Sequence, residues 1–265
     1  MINTGTAISE VFERTRRERR AALIPYVTAG HPRLTSLPEL VQAMNDGGAD
    51  IIEIGIPFSD PLADGPILQK AATKALSNGV KIRDILRDTE ALSARSVPIV
   101  YLTYFNPVFH FGVRKFLEIA QNSGVTGIII PDLPWAESQE VFDDTQDLGI
   151  SLIPLVAPTS TDQHISSLEK ATGFIYGVSV TGVTGVREDV DAGLKVLIDR
   201  VKQHVSLPLA IGFGISTPDQ AAYVGKMADG VIVGSALVRL IDQDWSRAAT
   251  RAQEFVASLR HALSN

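Results

Sequence analysis

Short apolar runs, each bounded by turn-forming residues and followed by a longer stretch of helical spacing, recur along the whole chain. The runs ALIPYVT at 22–28, DIIEIG at 50–55, PIVYLT at 98–103, GIIIP at 127–131, SLIPLV at 151–156, FIYGVSV at 174–180, PLAIGF at 208–213 and GVIVGS at 230–235 read as eight strands. They are continuous in Val, Ile and Leu rather than alternating with polar residues, the pattern of a parallel sheet covered by helices. Amphipathic stretches at 36–47, 67–77, 81–95, 113–123, 137–148, 162–170, 190–203 and 217–225 lie between them. Eight such units in 265 residues predict an α/β fold: a single (β/α)8 TIM barrel over residues 1–265. An additional N-terminal helix precedes the first strand, and extra helices near the C-terminus occupy 245–263. A doubly wound open sheet is the alternative architecture, but no dinucleotide-binding glycine signature accompanies the strands.

Thirty acidic against twenty-four basic residues give a net charge of −6, which disfavours nucleic acid and anionic membranes as partners. The chain has no cysteine, which removes disulfides, thiolate nucleophiles and cysteine-bound metals. The N-terminus shows no signal-peptide core, and no apolar stretch approaches the ~20 residues that cross a bilayer. The expected location is the cytoplasm, or an organelle stroma in a eukaryote. Arg14, Arg16, Arg17, Arg19 and Arg20 are interleaved with Glu10, Glu13 and Glu18, as on a solvated helix face.

In a barrel of this kind the working residues sit at the C-terminal ends of the strands and in the loops that follow. Glu53 interrupts the apolar second strand, and two-residue periodicity places it with Ile51 and Gly55 on one face. Facing a dehydrated barrel mouth, such a carboxyl gains a raised pKa and exchanges protons near neutrality. The competing reading is a buried ion pair with an Arg or Lys. The next loop, PFSDPLADGP at 57–66, is stiffened by three prolines; Asp64 can reach back over the pocket, whereas Asp60 and Asp64 can also simply cap the following helix. GFGIS at 212–216 and VGSALV at 233–238 end the last two strands and open into helices, the recurrent phosphate site of this fold. YGVSVTGVTGVRED at 176–189 reads as a lid hinged at Gly182 and Gly185, with Thr184 placed to bond a carboxylate or ligand, or else as a plain surface loop.

The lysines all fall on predicted helices or their flanks, so no strand lysine is available for a Schiff base. The five histidines are scattered without metal-ligand spacing, and His31 reads as a loop residue. Carboxylate acid–base chemistry on a small phosphorylated molecule remains.

The segment EIGIPFSDPLADGP at 53–66, with IPYVTAGHP at 24–32, SVTGVTG at 179–185, GFGIS and VGSALV, resembles the tryptophan synthase alpha subunit family over essentially the whole chain. The resemblance implies retro-aldol cleavage of indole-3-glycerol phosphate to indole and glyceraldehyde 3-phosphate, with neither metal nor organic cofactor on this chain. It implies Glu53 as the proton-shuttling acid/base and Asp64 as the acceptor of the indole N–H. It further implies an indole pocket of Tyr26, Leu102, Tyr104 and Tyr176, with Thr184 also at the substrate, and phosphate binding by Gly185, Gly214, Gly234 and Ser235. Barrel-core packing is the competing reading for the pocket residues. Val180 and Thr181 depart from an Arg–Ala pair found in some members, a difference that bears on the lid.

The implied partner is a tryptophan synthase beta subunit in an alpha2beta2 heterotetramer, which carries pyridoxal phosphate and receives the indole. The 57–66 loop and the Tyr104–Pro107 region are the expected contact surface. Three further readings are a stand-alone lyase active without a partner, a phosphosugar isomerase on the same barrel, and a silent activating subunit. The DPLADGP loop disfavours the isomerase, and the presence of both Glu53 and Asp64 disfavours the silent subunit.

Overall fold

The computed structural model describes residues 7–92, 97–178, 187–212 and 214–264, with side chains from 193 onward in the helix that begins at 187. Among the described residues there are nine strands: β1 (Ala22–Thr28), β2 (Ile52–Gly55), β3 (Ile99–Leu102), β4 (Val125–Ile129), β5 (Ser151–Leu152), β6 (Leu155–Val156), β7 (Ile175–Val178), β8 (Leu209–Gly212) and β9 (Gly230–Val233). Every pairing is parallel, and the order runs β5-β4-β3-β2-β1-β9-β8-β7-β6.

The two ends of that order are halves of one predicted strand, 151–156, so the sheet closes on itself as a TIM barrel. Pro154 has no N–H to donate and breaks the strand. On one side of the break the Ile153 amide donates to the Ile128 carbonyl, and on the other the Tyr176 amide donates to the Pro154 carbonyl, each at 2.9 Å. The fourth strand begins and ends two residues earlier than the predicted 127–131. Its C-terminal limit follows from a turn, in which the Leu133 amide bonds the Ile130 carbonyl across Pro131.

Two apolar layers follow from strand alternation. Ala22, Ile24, Tyr26, Val100, Leu102, Ile129, Ile153, Phe174, Tyr176, Ala210 and Ile232 fill the barrel interior. Leu23, Val27, Ile52, Ile54, Tyr101, Ile128, Ile211 and Val231 point outward and are buried under the helices. The N-terminal helix Ala7–Arg17 turns Ile8, Val11 and Phe12 to the interior layer, where the Phe12 and Phe174 rings lie 5.5 Å apart. It plugs the N-terminal end of the barrel and leaves the other end open. The helix Ala248–Ala262, within the predicted 245–263, packs on Ser36–Asp46.

The arginine cluster is not wholly a solvated face. Arg20, with its side chain 6% exposed, makes two hydrogen bonds to Asp50, and Arg14 adds a third at 2.9 Å. The Leu23 amide also donates to Asp50, at 3.0 Å. These bonds hold the Asp50 carboxyl below its ordinary range despite burial, which pushes the other way. The chain thus spends its buried ion pair on Asp50, just before β2, and not on Glu53. A further element not expected from the sequence is the short helix Phe105–Phe111, whose Pro107 falls in the tolerated first turn.

Candidate active site

The open end of the barrel holds a cavity of about 400 Å³, in the size range of small-ligand sites. Glu53, Asp64, Tyr26, Leu102, Tyr176, Gly214, Gly234 and Ser235 all line it, so the structure gathers eight of the eleven sequence-derived site residues around one space. Thr184 and Gly185 lie outside the described residues, as does most of the expected lid. The eleventh, Tyr104, is buried but does not form the wall.

Glu53 stands on β2 in register with Tyr26 on β1 and Val100 on β3. It is 1% exposed, and its Oε2 is buried with no hydrogen-bond partner. Loss of hydration, together with the charge of Asp64, raises its pKa from 4.5 to about 8. At neutral pH the carboxyl is therefore largely protonated and able to give up its proton within the cavity.

Asp64 does not cap the helix behind it. The helix Pro66–Ser77 has Gly65 at its N-cap with no side-chain cap, and Pro66 in its first turn, so neither Asp60 nor Asp64 caps it. Asp60 is exposed and bonds Ser59. The loop is fastened at two points, where the Asp64 amide donates to the Pro61 carbonyl at 3.1 Å and Gln69 Nε2, from the helix Pro66–Ser77, to the Asp64 carbonyl at 2.8 Å. Tyr104 completes the fastening. Its hydroxyl accepts from the Ala63 amide at 3.0 Å, while its ring lies 5.4 Å from that of Phe58. Burial lifts the Asp64 pKa from 3.8 to about 6 and the Tyr104 hydroxyl moderates the rise, so Asp64 is mostly ionised at neutral pH.

Tyr26 and Tyr176 form facing aromatic walls, each seated over a glycine at the end of a strand. A Cβ at Gly55 would overlap the Tyr26 hydroxyl, and one at Gly212 would come within 2.7 Å of the Tyr176 hydroxyl. These glycines are required by the phenols above them. The Tyr26 and Thr28 hydroxyls are 3.0 Å apart. Burial and the nearby carboxylates push both phenols far above their usual pKa, so neither is an acid at working pH.

The cavity also borders a helix N-terminus, whose chemistry suits an anion. Gly234 is the N-cap of the helix Ser235–Gln243, which has no side-chain cap, so its first-turn amides are left for a ligand. The neighbouring helix Pro218–Gly225 differs, because Thr217 and Gln220 form a capping box and Gln220 also accepts from the Ser216 amide at 2.8 Å. Gly214 lines the cavity with φ +79°, in the left-handed region that suits glycine.

Leu68, Leu155, Val178, Ile232 and Arg239 are also among the lining residues but carried no signal in the sequence. The apolar ones look like core positions, and Arg239 looks like any exposed helix residue. His31 is a loop residue, as expected, but it is buried and its Nε2 lies 2.9 Å from Asp242 of the helix Ser235–Gln243. Among the described residues there is no cluster of three potential metal ligands, and no helix is long and apolar enough to cross a membrane.

Residues 12–264 match the family model described as tryptophan synthase alpha chain. A protein of that name from Thermoanaerobacter sp. (strain X514) is 44% identical, over 97% of this chain and 99% of its own length. Mycobacterium tuberculosis tryptophan synthase contains a chain of similar structure, at TM-score 0.91 and 35% identity, covering 98% of this chain and 99% of that one. The tryptophan synthase alpha chain of Legionella pneumophila subsp. pneumophila is similar at TM-score 0.90 and 32% identity, covering 98% of each.

Proposed function

The chain belongs to the tryptophan synthase alpha chain family and is a lyase that cleaves indole-3-glycerol phosphate to indole and glyceraldehyde 3-phosphate, and we propose that Glu53 and Asp64 carry out the cleavage. The observation that carries this reading is the pairing of a buried, largely protonated Glu53, whose Oε2 has no hydrogen-bond partner, with an ionised Asp64 on one cavity.

Cleavage needs a proton added at indole C3 and a proton removed from the glycerol hydroxyl next to the ring. Glu53 donates its proton to C3, and Asp64 accepts a hydrogen bond from the ring N–H, stabilising the positive charge that develops there. The bond between C3 and the glycerol carbon then breaks, its electron pair restoring the aromatic indole. The hydroxyl becomes the aldehyde and gives its proton to the Glu53 carboxylate, which is returned to its starting state. Tyr26, Leu102 and Tyr176 bound the indole, and Gly214, Gly234 and Ser235 hold the phosphate, with Thr184 and Gly185 completing the site. Tyr104 contributes by holding Asp64.

Members of the family generally pair with a beta chain. We read this chain as the alpha part of an alpha2beta2 complex in the cytoplasm, its length forming one barrel domain. Support for the docking face comes from Leu62 of the 57–66 loop, 90% exposed, and from Phe109 of the helix Phe105–Phe111, 66% exposed. Pyridoxal phosphate belongs on the partner in this reading, since no lysine lines the cavity among the described residues.

The test is indole release from indole-3-glycerol phosphate by the wild-type chain and by Glu53→Gln, each with and without a beta chain. Glu53→Gln should still bind substrate and release no indole; a fully active variant would refute the assignment. Weak wild-type activity strongly raised by the beta chain supports the complex, whereas full activity alone identifies an autonomous lyase.

A further inference from the structure

The charged side chains that line the cavity among the described residues are Glu53, Asp64 and Arg239. A phosphate monoester carries between one and two negative charges near neutral pH, and here it must enter a space that already contains an ionised carboxylate. The helix amides at Gly234 and Ser235 contribute only about half a unit of positive charge. Among the described residues Arg239 is the one full cation on the cavity wall, and it forms no ion pair or hydrogen bond with any of them.

Its position suits that use. Arg239 comes four residues after Ser235 on the helix Ser235–Gln243, so the two share one face. Four residues rise about 6 Å along a helix, and side chains lean toward the N-terminus, which directs the guanidinium back to the end where the amides are free. By contrast, Arg247, Arg251 and Lys226 lie outside the cavity wall.

Resting on the preceding reading of this cavity, we propose that Arg239 is a substrate-binding residue, the counter-charge that selects the phosphorylated substrate by pairing with its phosphate. The geometry of a guanidinium also permits two parallel hydrogen bonds to phosphate oxygens, which an ammonium cannot make. Arg239 takes no part in proton transfer; it sets which molecules stay long enough to react.

The variants Arg239→Gln and Arg239→Lys, made in the full chain, test this against wild type. Three readouts apply: cleavage of indole-3-glycerol phosphate, cleavage of unphosphorylated indole glycerol, and calorimetric binding of glycerol 3-phosphate at two salt concentrations. Arg239→Gln should raise KM for the phosphorylated substrate by about tenfold or more and weaken glycerol 3-phosphate by a similar factor, with kcat within about twofold. Its binding should also depend less on salt, and Arg239→Lys should recover part of the loss. Unphosphorylated indole glycerol should be handled equally by all three proteins. Equal glycerol 3-phosphate affinity in wild type and Arg239→Gln would overturn the proposal, as would an equal loss on the unphosphorylated substrate. If wild type failed to cleave indole-3-glycerol phosphate, the functional reading would fall, while the glycerol 3-phosphate comparison would still decide the role of Arg239.

Discussion

The Tyr104 hydroxyl accepts a hydrogen bond from the Ala63 amide, 3.0 Å away, and so fastens the residue next to Asp64 to the end of β3. The same hydroxyl also holds down the pKa of the Asp64 carboxyl. One phenol therefore sets both the position and the charge of Asp64.

Tyr104→Phe should keep the ring packing on Phe58 and lose both the Ala63 bond and the hydroxyl that moderates the Asp64 pKa. Wild-type kcat/KM is expected to fall as pH drops through about 6, where Asp64 becomes protonated and can no longer accept the indole N–H. In Tyr104→Phe that acid limb should move to higher pH, with kcat/KM lowered about tenfold at neutrality. Superimposable pH–rate profiles for the two proteins would contradict the assigned role.

Glu53 makes the fold less stable at high pH. Its pKa is 4.5 in the unfolded chain and about 8 in the folded protein, so the folded state retains the proton over that interval. Stability is complete below the unfolded value and is progressively lost as pH rises to and through the folded one. Glu53→Gln cannot ionise, and should exceed wild type by on the order of 3 kcal/mol above pH 8, with the gap narrowing toward pH 5. Urea denaturation at both pH values checks this, and a gap that does not change with pH would count against a buried, protonated Glu53.

Asp50 behaves in the opposite way. Its pKa is depressed by Arg20 and the Leu23 amide, so its contribution is present above the ordinary carboxylate range and is lost as pH falls through the folded value. Asp50→Asn leaves Arg20 buried without its main partner and should cost about 3–5 kcal/mol at pH 7. A thermal midpoint unchanged from wild type would show that the pair contributes nothing net.

The contrast between Asp50 and Glu53 marks what was legible in the sequence. The inward direction of Glu53 followed from strand periodicity, and Gly55 beside it indicated room on that face. That Arg20 would pair with Asp50 was not legible, because the two are thirty residues apart and meet only through the closure of β1 against β2. The strand positions were readable from apolar runs, but the run 151–156 was read as one strand, and the break at Pro154, which has no amide to donate, was not foreseen. Tyr104 was assigned to the pocket from the family pattern, whereas the structure turns its hydroxyl to the back of the Asp64 loop. Arg239 was invisible for a different reason. An arginine in the polar stripe of a helix is unremarkable until the fold shows what its end of the helix faces.

Strand β1 lies between β2 and β9, so residues near the start of the chain pair with Gly230–Val233 near its end. During synthesis the ring cannot close until β9 has left the ribosome, and until then β1 has one side unsatisfied. The active cavity, which takes Tyr26 from the first strand and Gly234 from the loop after the last, is therefore among the final features to form. A nascent chain released before β9 carries Tyr26 and Tyr176 but lacks Gly234 and Ser235, and so has no complete site before the barrel is whole.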